Sequence, residues 1–116
     1  MKVAVLNFEG AVASAVAGPY DMFSKMELIA QSLNIKTKTI FEVDIINSPN
    51  LVSGKPFNMM GNIVMNNRKI YDLVLVPAMH MDRIAQTLQK ETAMINWIQQ
   101  QYQKGADIAS MCLGAF

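Results

Sequence analysis

The chain alternates short, nearly continuous apolar runs with segments whose apolar residues recur three or four positions apart. Residues 2–8 (KVAVLNF), 71–76 (YDLVLV) and 107–111 (DIASM) are of the first kind. A short run apolar on both faces predicts a strand covered on both sides, as in a parallel sheet. Residues 38–46 (KTIFEVDII) are β-branched and partly alternating, which predicts a strand with one wetter face, nearer a sheet edge. Residues 63–65 predict a further short strand. Gly18 and Pro19 predict a helix start, with Pro19 at the first helical position and Asp21 in the first turn. Phe23, Met26, Ala30 and Leu33 then follow at helical spacing, as core residues, and Asn34 ends the helix. Asp82 is the expected cap of a short helix carrying Ile84 and Leu88. Thr92 is the expected cap of a longer one, with Met94, Trp97, Ile98 and Tyr102 on one face and Lys104 and Gly105 closing it. Residues 11–17 are small and apolar and suit close packing. Residues 47–50 and 66–68 read as turns, and 51–57 as a small hairpin or excursion.

This order predicts one α/β domain over residues 1–116, a doubly wound layer on a mainly parallel sheet. In such sheets, functional groups gather past the carboxyl ends of the strands. If the three most buried strands are neighbours, those ends bring Glu9, the loop of Ala78, Met79 and His80, and Cys112 to one crevice.

Composition narrows the class. The chain is 52% hydrophobic and 16% charged, so it is globular. Ten Lys and Arg against nine Asp and Glu leave a net charge of +1, too balanced for a nucleic-acid surface in this segment. One cysteine excludes an internal disulfide and fits a reducing compartment. Asn7, Glu9 and Gly10 interrupt the N-terminal apolar run, which argues against a signal peptide, and no run approaches the ~20 residues of a membrane helix. The expectation is a cytoplasmic protein with no membrane partner. One histidine and one cysteine give no metal-ligand spacing, and Gly10 and Gly18 form no phosphate loop, so no cofactor is expected.

The chemistry centres on Cys112. A strand runs into it, and Ser110 and Gly114 flank it as small residues two positions away. That is the pattern of a nucleophile elbow, which sets a side chain at a helix N-terminus where a thiolate is favoured. Glu9 reads either as a solvated loop acid or as a proton-handling group. His80 reads either as a loop histidine bonded to backbone or water, or as the base of a Cys–His dyad. Backbone near Gly10, Ala78, Met79 and Leu113 would line the pocket. Met22, Met59, Met60, Met79 and Met81 read either as core or as an adaptable apolar lining.

Three pieces resemble the ThiJ/PfpI superfamily, part of the class I glutamine amidotransferase-like fold. They are Phe8-Glu9-Gly10 with Ala17-Gly18-Pro19-Tyr20-Asp21-Met22-Phe23; Tyr71 and Asp72 running to Val76-Pro77; and Gly105-Ala106-Asp107 running through Ser110-Met111-Cys112-Leu113-Gly114 to Phe116. They are most similar to the branch with isonitrile hydratase-like enzymes and the N-terminal domains of AraC-type transcriptional regulators. The resemblance implies a flavodoxin-like three-layer sandwich, Cys112 as the elbow nucleophile, and a homodimer. It implies a sheet continuing past residue 116, so the sequence is expected to be the N-terminal part of the domain, truncated after the elbow. In the regulator branch a helix-turn-helix DNA-binding domain follows later still, and none is in this sequence.

The departures carry as much weight. Family members with catalytic activity tend to have Asp where this chain has Ala15, Thr where it has Leu113, and Gly-Gly where it has Ala78-Met79. Together these remove an acid/base, a hydroxyl donor and an open approach to an oxyanion. The expected function is therefore the ligand-sensing and dimerisation domain of an AraC-type regulator, with a degenerate cysteine site and an unidentified small-molecule ligand. The alternatives are a cysteine-dependent hydratase, amidase or glyoxalase-like enzyme, or a redox protein oxidised at Cys112.

Overall fold

A computed structural model describes residues 1–34, 41–50, 63–65 and 68–111. Five strands form one sheet: β1 Lys2–Asn7, β2 Glu42–Asn47, β3 Ile63–Val64, β4 Leu73–Val76 and β5 Asp107–Ser110. Their order is β3-β2-β1-β4-β5, and every pairing is parallel. β1 is central. Val5 lies between Ile45 of β2 and Leu75 of β4, and residues 3–7 are all buried. The unbroken apolar run of β1 thus reflects cover on both faces.

The helices are α1 Ala13–Ser24, α2 Met26–Ser32, α3 Ile84–Lys90 and α4 Thr92–Gln103, with a 3-10 turn over Met81–Arg83 before α3. The chain builds outward from β1 through β2 to β3, then crosses back to the other side of β1 for β4 and β5. Right-handed crossovers in opposite directions place their helices on opposite faces. One face packs Val3, Val5, Ile45 and Leu75 against Val16, Tyr20 and Phe23 of α1. The other packs Ala4, Leu6, Ile46 and Val74 against Met94, Trp97 and Ile98 of α4. The result is an α/β/α sandwich consistent with the flavodoxin-like fold, and its strand order reverses between β1 and β4.

Several local expectations change. The first helix begins at Ala13, and Pro19 lies inside it. The small, helix-favouring residues 13–17 start the helix early. Pro19 has no N–H for the Ala15 carbonyl, and the preceding Gly18 has no Cβ to clash with the ring. The helix stops at Lys25 and restarts, so the 3–4 spacing does not run on as one face. Phe23 is half-buried, but Met26 and Leu33 are exposed. Asp82 sits within the 3-10 turn and caps nothing, and Glu91, not Thr92, precedes α4. Gln101 takes the inward place expected for Tyr102, because the stripe through residues 94, 97 and 98 selects 101 next; Tyr102 is exposed. β5 is only partly buried, since it ends the strand order with β4 as its partner. Asn34 with φ of 55° and Gly105 with φ of 101° close their helices in left-handed geometry as expected. Residues 51–57 and 66–67, Met59, Met60 and the start of the 38–46 segment lie outside the described residues.

Candidate functional site

β1, β4 and β5 are neighbours, so their carboxyl ends meet as expected. Past β1, Phe8 turns into Glu9 and Gly10, with the Ala11 N–H bonded to the Phe8 carbonyl. Gly10 has φ of 98°, and a Cβ there would lie 2.5 Å from Thr87 Oγ1. Both facts require glycine. Past β4, Ala78, Met79 and His80 run antiparallel to residues 10–12. Ala11 pairs with Met79, the Val12 N–H donates to the Ala78 carbonyl, and the His80 N–H donates to the Gly10 carbonyl, both at 2.8 Å. Glu9, Gly10, Ala78, Met79 and His80 therefore form one fastened cluster. Met79 is buried, Ala78 half-buried and His80 exposed. Of this loop's backbone N–H groups, that of His80 is spent within the chain. Cys112 and Leu113 lie outside the described residues.

Glu9 is half-buried, with Lys90 Nζ 4.0 Å from its carboxylate. It lines a polar cleft with Arg83, Gln86, Thr87 and Lys90. Beside it opens an apolar cleft of about 270 Å³. Phe8, Val76 and Ser110 bring to it the ends of β1, β4 and β5; Met79, Met94, Ile98 and Ile108 fill out its walls. Of the methionines read as either core or an adaptable lining, Met79 is buried and lines this cleft, whereas Met22 and Met81 are exposed.

Glu91 also stands in that wall, and sequence reasoning missed it. It is 5% exposed. The Ser48 hydroxyl donates to Oε2, while Oε1 is buried without a hydrogen-bond partner among the described residues. Burial pushes the Glu91 carboxyl above the ordinary carboxylate range. The bond from Ser48 opposes that shift, the charge of Glu9 adds to it, and Lys90 and Asn50 oppose it. Ser48 is held in turn: its N–H donates to the Asn7 carbonyl, its hydroxyl accepts from the Asn50 N–H, and Asn50 Nδ2 donates to the Lys90 carbonyl. The carboxyl ends of β1 and β2 are thereby tied to the α3–α4 junction. The available signal was spacing: residues 87, 91, 94, 98 and 101 step by four and three, which puts Glu91 on an inward stripe.

Among the described residues, no three His, Cys, Asp or Glu side chains gather as a metal-binding group. Among the described residues no helix is long and apolar enough to cross a membrane. Compared with models of known protein families, with curated proteins and with solved structures, the chain matches none.

Proposed function

We propose that this chain is a small-molecule-sensing domain of the ThiJ/PfpI-like kind, the ligand-binding and dimerisation part of an AraC-type transcriptional regulator, whose cysteine site has lost its catalytic surroundings. The observation that supports this reading is the pairing of residues 10–12 with 78–80. It locks the loop that a catalytic relative would keep open for an oxyanion, directly beside an apolar cleft sized for a small ligand. The cleft lies past the strand ends next to the point where strand order reverses, where open α/β sheets bind ligands. DNA contact would belong to a helix-turn-helix segment outside this sequence, and the resemblance alone supports it. The test uses the product of the full reading frame. It should retard DNA from its own upstream region, and Cys112→Ala should retain that binding. A product that binds no DNA refutes the regulator reading. Turnover of isonitriles, small amides or α-oxoaldehydes that is lost in Cys112→Ala establishes the enzyme in its place.

A further inference from the structure

The polar cleft past β1 gathers more donors than the fold uses. Arg83, Gln86, Thr87 and Lys90 line it, one stripe running from the 3-10 turn along α3, and Glu9 joins them from the loop after β1. Among the described residues Arg83 makes no ion pair, and Lys90 Nζ stands 4.0 Å from the Glu9 carboxylate, beyond hydrogen-bond reach. Thr87 is 5% exposed, and its hydroxyl makes no hydrogen bond among the described residues. That hydroxyl is not sealed in, because among the described residues Glu91 Oε1 is the side-chain oxygen that is both shut from solvent and unbonded. Thr87 Oγ1 lies against Gly10, the neighbour of Glu9, which sets it on the polar side of α3. A largely buried hydroxyl left open at the floor of a cleft is a place for an acceptor from outside the chain.

We propose that this cleft binds a small monocarboxylate, held by the Arg83 guanidinium, with Gln86, Lys90 and the Thr87 hydroxyl as further donors. The inference stands apart from the sensor reading, which puts its ligand in the apolar cleft alongside. The donor set selects the class. Guanidinium, ammonium, amide and hydroxyl groups all donate, and an ionised carboxylate accepts at about four lone-pair sites and donates at none. The planar fork of Arg83 matches two carboxylate oxygens at once, which a single point charge does not. Charge sets the number of carboxylates. Arg83 and Lys90 against Glu9 leave one net positive charge in the cleft, which a monoanion neutralises. A dianion would set excess negative charge against Glu9, and a cation would meet Arg83 and Lys90. At about 280 Å³, the cleft falls just short of drug-sized sites, which suits an acid of a few carbons.

The test titrates the whole protein at pH 7 with propionate and, separately, with propionamide and malonate, by calorimetry and by shift of the melting temperature. Propionate should bind roughly tenfold to a hundredfold tighter than its neutral amide, the range of a hydrogen bond to a charged group. Malonate, a dianion, should bind more weakly than propionate, and Glu9→Gln should reverse that order. Arg83→Gln, at an exposed position, should weaken propionate about tenfold or more and leave the melting temperature without ligand unchanged. Lys104→Gln, which removes an exposed cation beyond the far end of α4, should leave propionate binding as it was. Equal binding of propionate and propionamide overturns the carboxylate class. Propionate binding that survives Arg83→Gln, or falls equally in Lys104→Gln, overturns the placement. Malonate binding tighter than propionate in the unaltered protein overturns the charge argument, and absence of propionate binding overturns the inference outright. DNA binding by the full product tests the sensor reading separately, so either can fail without the other.

Discussion

Gly10→Ala adds one methyl group at a position that resists it for two separable reasons. The first is conformational. A φ of 98° suits glycine, and holding an L-residue in a left-handed region costs about 1–2 kcal/mol. The second is steric. The new Cβ would sit 2.5 Å from Thr87 Oγ1, and Thr87 is buried and cannot swing into solvent. Forcing an extra carbon into a filled site costs about 1–3 kcal/mol. Gly10→Ala should therefore destabilise the protein by about 2–5 kcal/mol. Thr87→Ala removes the clashing oxygen and leaves its Cβ 3.7 Å from the added one, an ordinary contact. In that background Gly10→Ala should cost only the conformational part, about 1–2 kcal/mol. The two substitutions should then couple favourably by about 1–3 kcal/mol, within the usual range for touching residues. Urea unfolding followed by the fluorescence of Trp97, the only tryptophan and a buried one, measures all four proteins. Equal costs for Gly10→Ala with and without Thr87, within about 0.5 kcal/mol, would refute the contact argument. A cost below about 1 kcal/mol in the parent would refute both.

Three further predictions follow from polar groups. Glu91 holds its proton more tightly folded than unfolded, so its stabilising contribution is complete below the unfolded value of about 4.3 and is lost as pH rises through the raised folded value. Urea midpoints of Glu91→Gln should therefore gain on those of the parent as pH rises from 4, and parallel curves would sink the idea. Gln101 accepts from the Tyr71 N–H and donates to the Lys69 carbonyl, both at 2.9 Å, so Gln101→Leu should cost about 2–4 kcal/mol in the same assay. Tyr71 donates to Asp44 at 2.7 Å, and burial first, then that bond, push its phenol far above the usual range. Stability should fall above the unfolded value of about 10, and Tyr71→Phe should flatten that fall, read as midpoint against pH.

The frame was legible where neighbours in sequence share one environment. Residues 2–8 and 71–76 read as buried strands because β1 and β4 have cover on both faces. Asn34 and Gly105 read as helix ends because left-handed backbone has a local signature. Pro19 misled because proline usually marks a first turn, and a helix already under way over Ala13–Gly18 can carry it past. The cluster of Glu9, Gly10 and residues 78–80 was legible from strand order alone. Glu91 was not: between Lys90 and Thr92 it reads as a solvated charge, and the partner that holds it, Ser48, is 43 positions away. His80 was legible as a loop residue, but which half of it the fold would use was not, since its backbone N–H, rather than its ring, makes the bond to Gly10.

The reversal of strand order at β1 also sets a sequence of events in time. β1 meets β4 across 70 residues, as the bond from the Lys2 N–H to Asp72 shows, whereas β2 pairs with β1 at shorter range. Closing the longer loop costs more chain entropy, so the seam between β1 and β4 tends to form late and to part early. Both clefts straddle that seam, with Phe8 and Glu9 on one side and α3 on the other. A molecule held there would act after the rate-limiting step of folding. It would lengthen the lifetime of the native state and leave the speed of its assembly almost unchanged.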